Sequence, residues 1–342
     1  MNEILRGALV VGMHIPDGFL SLSVSLVLWL ITVLALTLAV RRTRETLDDR
    51  QVPMMGVMAA CIFSAQMLNF PVAGGTSGHL LGGALAAIVL GPSAGMLVMA
   101  CVIALQALLF QDGGIVVMGG NIFNMGILTA LVGGSIFYGL LSFIGRWRWG
   151  LVACGFIAAM SSVIVSSFVT ALQLTASGTA QAQVVIGAMV IIHFLIGIGE
   201  GLITAAALSF LLATRRDLLP AALTAQLERR SHNMSGRAVL AGGVAVAVLL
   251  ALLSPLASSA PDGLERVAID LGFVDGGAGP GLATPAGLLP DYTLPGIGGA
   301  LSTILAGLIG ILTVVALGYG VALLVRRRSA RRRVDQPHSV TS

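Results

Sequence analysis

The stretch that decides the fold is residues 79–110, which read HLLGGALAAIVLGPSAGMLVMACVIALQALLF. This stretch is apolar from end to end, so it forms either one long membrane helix or two pieces that meet at Gly91-Pro92. Proline disfavours a helical conformation in the residue before it, which predicts a break at this junction. A turn here reverses the direction of every later segment and therefore determines which loops share a side of the membrane.

The arginines decide whether the chain turns back. Apart from Arg6 and Arg266, the 19 basic residues, all of them arginine, lie in four clusters at 41–50, 146–148, 215–237 and 326–333. Cytoplasmic loops collect arginine, and with the turn all four clusters fall on one side. A single span would place the first cluster opposite the other three. The sequence therefore predicts a turn, and two full crossings or a re-entrant hairpin would satisfy this rule equally well.

The composition of the whole chain also indicates a membrane protein. Of 342 residues, 56% are hydrophobic and only 10% are charged, whereas soluble domains have roughly 25% charged residues. We therefore predict an all-α polytopic membrane protein with seven helical segments in its body and two in a C-terminal module. The candidate segments are 19–40, 54–70, 79–91, 93–110, 122–143, 150–175, 183–213, 238–256 and 300–325. The arginines form no basic domain face, which argues against a nucleic-acid partner.

A shift in composition divides the chain into two modules fused end to end. Residues 214–237 are polar and arginine-bearing, which predicts a cytoplasmic linker. The linker separates a body at 13–213 from a module at 238–333, whose outer loop is rich in glycine and proline. Residues 334–342 form a predicted cytoplasmic tail, and residues 1–12 precede the body as an extension.

Two histidines are predicted on the outer face, each at the mouth of a membrane segment. His14 lies in MHIPDGF and His79 ends the glycine-rich stretch NFPVAGGTSGH. A histidine pair without a neighbouring carboxylate or thiolate is a nitrogen-donor site, which suits nickel, copper, zinc or cobalt. The alternative is that both are ordinary polar loop residues.

Five blocks of this sequence resemble the CbiM/NikM family, the substrate-binding membrane subunits of energy-coupling-factor (ECF) transporters for cobalt and nickel. The blocks are MHIPDGFL at 13–20, MLNFP through GHLLG at 67–82, QALLFQDGG at 106–114, NIFNMG at 121–126 and HFLIGIGEG at 193–201. The PDGLE sequence at 261–265 resembles the NikN-like module often fused to such subunits. The resemblance implies a separate transmembrane coupling subunit and a pair of ABC ATPases as partners in a bacterial or archaeal cell membrane.

The resemblance also implies a ligand set. The ion, a transported substrate and not a cofactor, would be held by the amine of Met13, the backbone amide and imidazole of His14, and the imidazole of His79. Asn121 and Asn124 would orient these ligands by hydrogen bonds. Nickel and cobalt both accept such donors, so the choice between them stays open.

The Met13 ligand depends on a free amine. Twelve residues precede Met13 in the sequence, and in such a chain its nitrogen is an amide. We therefore expect either that translation starts at Met13 or that the extension is removed.

His193 and Glu200 are seven residues apart within the apolar segment 183–213, so they lie on nearly the same helix face. They form either an ion path or proton relay, or a structural polar cluster, and the cluster is the favoured interpretation. A relay would suit a second candidate function, a metal/proton exchanger. Asp262 and Glu265 in the outer loop could attract divalent cations or simply solvate that loop.

The sequence contains no phosphate-binding GxxxxGK[ST] motif and no convincing nucleophile arrangement. We therefore expect a transporter subunit without ATPase activity of its own, and not an enzyme.

Overall fold

The computed structural model describes residues 14–46, 51–144, 148–214, 236–273 and 288–334. The chain is helical apart from one short hairpin in this part. The elements are α1 (Leu22–Thr46), α2 (Gln51–Gln66), β1 (Phe70–Val72), β2 (Thr76–Gly78), α3 (Gly83–Leu90), α4 (Pro92–Leu105), α5 (Met118–Asn121), α6 (Thr129–Ile144), α7 (Arg148–Ala176), α8 (Ala182–Thr214), α9 (Gly236–Leu253), α10 (Gly263–Leu271) and α11 (Gly299–Val334). π-helical turns at Gln106–Phe110 and Ile122–Leu128 extend α4 and join α5 to α6.

The prediction of an all-α polytopic membrane protein is confirmed. Each of the nine predicted segments corresponds to a helix, and within the described ranges six helices are long and apolar enough to cross a membrane. Helix α2 and the apolar part of α9 are shorter. Many large apolar side chains on the long helices, such as Leu26 and Leu30 of α1, are exposed, as expected on a surface that faces lipid.

The predicted break at Gly91-Pro92 is present. Helix α3 ends at Leu90 and α4 begins at Pro92, while Gly91 takes a positive φ of 84° that permits the sharp reversal. With eight residues, α3 is about 12 Å long, whereas the hydrocarbon core is roughly 30 Å thick. All of its residues are buried. This length fits the hairpin and is too short for a full helical crossing.

The second predicted segment, 54–70, was wrong at its end. Helix α2 stops at Gln66, and Phe70 instead begins an antiparallel hairpin in which it pairs with Gly78. Apolar residues continue past the helix end because Phe70 and Val72 pack against the core from the hairpin. The hairpin ends at Gly78, immediately before His79.

The two modules are consecutive in sequence but packed together in space. Helices α9 and α11 both pack along α2. A side chain at Gly318 in α11 would meet the backbone of Gly56 in α2, so small residues let these helices approach closely. The C-terminal module is therefore part of one helical bundle with the body. The predicted linker falls almost wholly outside the described residues.

Candidate metal-binding site

One end of the bundle contains a cavity to which distant parts of the chain contribute. The segment before α1, the end of the hairpin, the α5–α6 region, α7, α8 and the start of α10 all line it. Its lining includes His14, His79, Asn121, Asn124, Ser166, Thr170, His193, Asp262 and Gly263. Most of the predicted site residues that the structure describes therefore meet in one place.

The two histidines of the predicted nitrogen site lie side by side. The ring centroids of His14 and His79 are 6.2 Å apart with the planes tilted by 39°. Both residues are buried, with exposed fractions of 1% and 8%. Met13, the third predicted ligand, lies outside the described residues.

His14 is held by a carboxylate that the sequence analysis did not assign to the site. Its Nδ1 lies 2.7 Å from Oδ1 of Asp112, and both side chains are buried. Burial acts to raise the pKa of Asp112, but the charge and hydrogen bond of His14 outweigh it. Together with the hydroxyl of Tyr292, they keep this pKa below its ordinary value. His14 Nε2 is buried without a hydrogen-bond partner among the described residues, which leaves this nitrogen available as an electron-pair donor.

Asn121 fixes the backbone next to His14. The amide of Ile15 donates to Oδ1 of Asn121, and Nδ2 of Asn121 donates to the carbonyl of Ile15, both at 3.0 Å. The side chain thus acts as a two-point clamp, in a place that fits the predicted orienting role.

Asn124 has a different set of contacts. It forms a reciprocal amide pair with Gln173 of α7, at 2.7 and 2.8 Å, and its carbonyl accepts from the Ser166 hydroxyl. Asn124 lines the cavity, but these contacts join two helices and include neither histidine.

His79 is positioned through the backbone that follows it. Its Nδ1 is 3.1 Å from the carbonyl of Leu80. The next two amides, of Leu81 and Gly82, donate to the two carboxylate oxygens of Glu200 at 2.7 and 2.9 Å. Gly82 has a φ of 83° and immediately precedes α3, so the carboxylate also lies where a helix N-terminus favours negative charge.

The predicted pair of His193 and Glu200 separates into two roles. His193 lines the cavity, and its Nδ1 donates to the carbonyl of Met189 at 2.8 Å. Glu200 is fully buried, and both of its oxygens accept backbone amides. These contacts match the structural interpretation of Glu200 better than a relay.

The PDGLE segment closes one side of the cavity. The amide of Ser77 in the hairpin donates to the carbonyl of Pro261, and its hydroxyl donates to that of Ala260. Asp262 begins α10 by accepting the amide of Glu265 at 2.8 Å, and Asp262 lines the cavity whereas Glu265 does not. Burial raises the pKa of Asp262 to about 6 and that of Glu265 to about 7.

Three functional candidates were missed by sequence reasoning: Asp112, Tyr292 and Gln173. Asp112 lies in the block at 106–114 that carries part of the family resemblance, so its place in that block was a usable signal. Tyr292 and Gln173 carry no local signal, because their partners are 180 and 49 residues away.

Side chains alone do not complete a metal site here. Within the part of the chain that the structure describes, no three His, Cys, Asp or Glu side chains are grouped to hold an ion. An ion bound by the two imidazoles would therefore need further donor atoms. The fold and the cavity together define a polytopic membrane protein with a pocket that two buried histidines line.

Comparison with known proteins identifies the family. The family described as the cobalt uptake substrate-specific transmembrane region (CbiM) matches residues 14–218, and the PDGLE domain matches residues 237–327. The chain belongs to the CbiM family and carries a C-terminal PDGLE domain, which confirms the resemblance seen in the sequence.

Relatives and solved structures agree with this. A putative fused nickel transport protein NikMN of Archaeoglobus fulgidus is 35% identical over 92% of this chain and 99% of that protein. A cobalt transport protein CbiM of Sorangium cellulosum is 32% identical over 60% of this chain and 94% of that protein. The crystal structure of a truncated transition metal transporter is 33% identical, has a TM-score of 0.53, and covers 58% of this chain and 98% of its own.

Proposed function

We propose that this protein is the substrate-capture membrane component of an importer for nickel or cobalt ions, and that it binds the ion in the cavity at the outer face. The observation that carries the proposal is the placement of two buried imidazole rings with centroids 6.2 Å apart, where Nε2 of His14 has no hydrogen-bond partner among the described residues. Nitrogen donors are the ligands that late first-row divalent ions prefer.

The proposed ligands are Met13, His14 and His79. The two histidines supply neighbouring imidazoles from separate segments of the chain, and family resemblance adds a nitrogen from Met13. The resemblance implies that Met13 binds through a free amine, so this third ligand requires a chain in which nothing precedes Met13. Asn121 is proposed to hold the chain at Ile15, and Asn124 to brace the cavity through Gln173.

The sidedness follows from the position of the arginines. His14 precedes α1, while Arg41, Arg42 and Arg44 lie near the other end of this 25-residue helix, about 28 to 33 Å from its first residue along the axis. Since arginine collects on the cytoplasmic side, the cavity is proposed to open outward. Delivery of the ion is proposed to need an ECF-type coupling subunit and a pair of ATPases.

Nickel is the first ion to test. Two relatives that align with 92% of this chain are a putative fused nickel transport protein of Archaeoglobus fulgidus and a fused nickel transport protein of Rhodobacter capsulatus. Titration calorimetry of the purified protein with nickel and with cobalt would rank the two ions. Tighter binding of cobalt would reverse this order.

The deciding experiment is His79→Ala in the full chain, with His338→Ala in the C-terminal tail as the matched control. Loss of a direct ligand should lower nickel affinity by more than the roughly 10- to 100-fold that loss of a supporting group costs. The control should bind like the unaltered protein. Unchanged nickel affinity in His79→Ala would remove the site assignment.

A metal/proton exchanger with His193 and Glu200 as relay is the second candidate. The contacts of Glu200 speak against it, since its oxygens are engaged by two backbone amides. Uptake that persists without the ATPases but stops when the proton gradient is collapsed would favour the exchanger.

A further inference from the structure

Three histidines line the metal-binding cavity, but among the described residues only one acidic side chain does. That side chain is Asp262, which is buried with an exposed fraction of 7%. It belongs to the C-terminal module, because residues 237–327 match the PDGLE domain and the CbiM match ends at residue 218. The module that follows the CbiM region therefore contributes a carboxylate to the cavity.

The segment that carries Asp262 is held from two sides. The amide and the hydroxyl of Ser77 in the hairpin donate to the carbonyls of the two residues before Asp262, at 2.8 and 2.7 Å. On the other side, Gly263 lies so close to α8 that a Cβ atom there would be 2.8 Å from Cε1 of His193. These contacts fix Asp262 between the hairpin and α8, in the wall of the cavity.

The charge of Asp262 is not paired with an arginine of the cavity wall. In the part of the chain that the structure describes, no arginine lines the cavity. Oδ1 of Asp262 accepts the amide of Glu265 and so caps α10. Burial raises the pKa of Asp262 to about 6, with the charge of Asp112 adding to the rise and that of His14 opposing it. At pH 7.5 most molecules therefore carry a negative charge on Asp262.

A divalent ion in this cavity needs negative charge near it. Amine and imidazole donors are neutral, and a backbone amide that loses its proton would supply one negative charge against the two positive charges of the ion. An uncompensated charge in a buried site is costly. Asp112 is also buried, but its two oxygens are hydrogen-bonded to His14 and Tyr292, and it does not line the cavity. Asp262 is thus the carboxylate placed to offset the remaining charge.

Asp262 is not grouped with the two histidines as a further ligand. Within the described ranges, no three His, Cys, Asp or Glu side chains are close enough together to hold an ion. Its carboxylate therefore acts on an ion in the cavity through space, and charges interact more strongly in a partly buried site than in water.

We propose that Asp262 is a charge-compensating residue of the metal cavity: its carboxylate attracts a hydrated divalent cation and offsets the charge of the bound ion without coordinating it. This inference rests on the proposed function, in which the cavity binds nickel or cobalt. It selects one of the two acids of the outer loop, because Glu265 does not line the cavity. It also gives the C-terminal module a direct part in binding the ion.

The test is Asp262→Asn in the full chain, in detergent at pH 7.5. Asparagine removes the charge and keeps the cap of α10, so the segment should stay in place. In titration calorimetry, nickel affinity should fall roughly 10-fold, as expected for one unit charge that acts over several ångströms in a partly buried site. In stopped-flow mixing with a chromogenic chelator as competitor, nickel association should be slower and depend less on ionic strength.

Glu265→Gln is the matched control, because it removes one charge from the same helix without changing the cavity wall. It should lower nickel affinity much less than Asp262→Asn does. Unchanged nickel affinity in Asp262→Asn would overturn the inference, and a loss confined to Asp262→Ala would then leave the residue only its role as a helix cap. Equal losses in Asp262→Asn and Glu265→Gln would also overturn it, because the effect would not depend on a place in the cavity.

His79→Ala, measured in parallel, separates this inference from the proposed function. If His79→Ala binds nickel like the unaltered protein, the proposed function fails. If His79→Ala loses nickel while Asp262→Asn keeps its affinity, only the role of Asp262 fails.

Discussion

The two histidines of the cavity are supported in different ways. His14 is held by side chains: Asp112 bonds its ring, and Asn121 clamps the next residue. His79 is held through main chain, since Glu200 binds the two amides that follow Leu80. The position of His14 therefore depends on side-chain contacts that orient its ring. The position of His79 depends on the path of the backbone that follows it.

Both supports reach the C-terminal module, but at different points. On the His14 side the contact is Tyr292 with Asp112, and on the His79 side it is Ser77 with Pro261. Each histidine is therefore supported both from inside the CbiM-like body and from the PDGLE module. Variants that remove one support at a time can test whether the two sides are independent.

Glu200→Ala should have the largest effect on stability. It leaves the amides of Leu81 and Gly82 without acceptors in a buried site, which should cost about 2–5 kcal/mol of unfolding free energy. Nickel binding should fall with it, because the backbone that carries His79 loses its anchor. Thermal unfolding in detergent and titration calorimetry measure the two effects.

The matched control for Glu200→Ala is His193→Ala on the same helix, whose ring donates to one carbonyl, that of Met189, among the described residues. It should change stability much less. If Glu200→Ala kept its thermal midpoint and its nickel affinity, the main-chain anchor of the His79 side would be wrong.

A pH titration tests Asp262, which lines the cavity next to the segment that contacts Ser77. Burial raises the pKa of Asp262 from 3.8 to about 6, so its neutral form is favoured by folding. The stabilisation is complete below pH 3.8 and is lost as the pH rises through about 6. A shift of this size corresponds to at most about 3 kcal/mol.

Asp262→Asn should remove most of this pH dependence while it keeps the helix cap, since asparagine caps as well as aspartate. Glu265 titrates in the same range, because burial and the charge of Asp262 raise its pKa to about 7. Glu265→Gln is therefore measured beside it. Parallel curves of thermal midpoint against pH, from pH 4.5 to 7.5, for Asp262→Asn and the unaltered protein would contradict the assignment.

Much of the fold could be predicted from the sequence, because membrane helices are defined by local composition. Apolar length marks each helix, and Gly91-Pro92 marks the reversal without any knowledge of tertiary contacts. The end of α2 could not be predicted, since Phe70 is apolar for its role in the hairpin and not for a helix. The packing of α9 and α11 on α2 also had no local signature.

The site was predictable only in part, for a related physical reason. His14 and His79 follow from sidedness, because both sit in loops expected on the same face. Their supports are hydrogen bonds between residues far apart in the chain, such as Glu200 with Leu81 and Tyr292 with Asp112. Residues so far apart in the chain leave no periodic or spacing pattern in the sequence, so these hydrogen bonds become visible only in the folded structure.

The smallest effect is predicted for two asparagines that line the same cavity, Asn121 and Asn124. Asn121→Ala removes the clamp on Ile15 and should weaken nickel binding roughly 10-fold, as expected for a group that supports a ligand. Asn124→Ala removes the amide pair with Gln173, so it should lower stability with a smaller loss of affinity. Calorimetry and thermal unfolding of both variants give the two readouts. Equal losses of affinity in the two variants would mean that the Asn121 clamp has no special role in nickel binding. The support of His14 would then be assigned to Asp112.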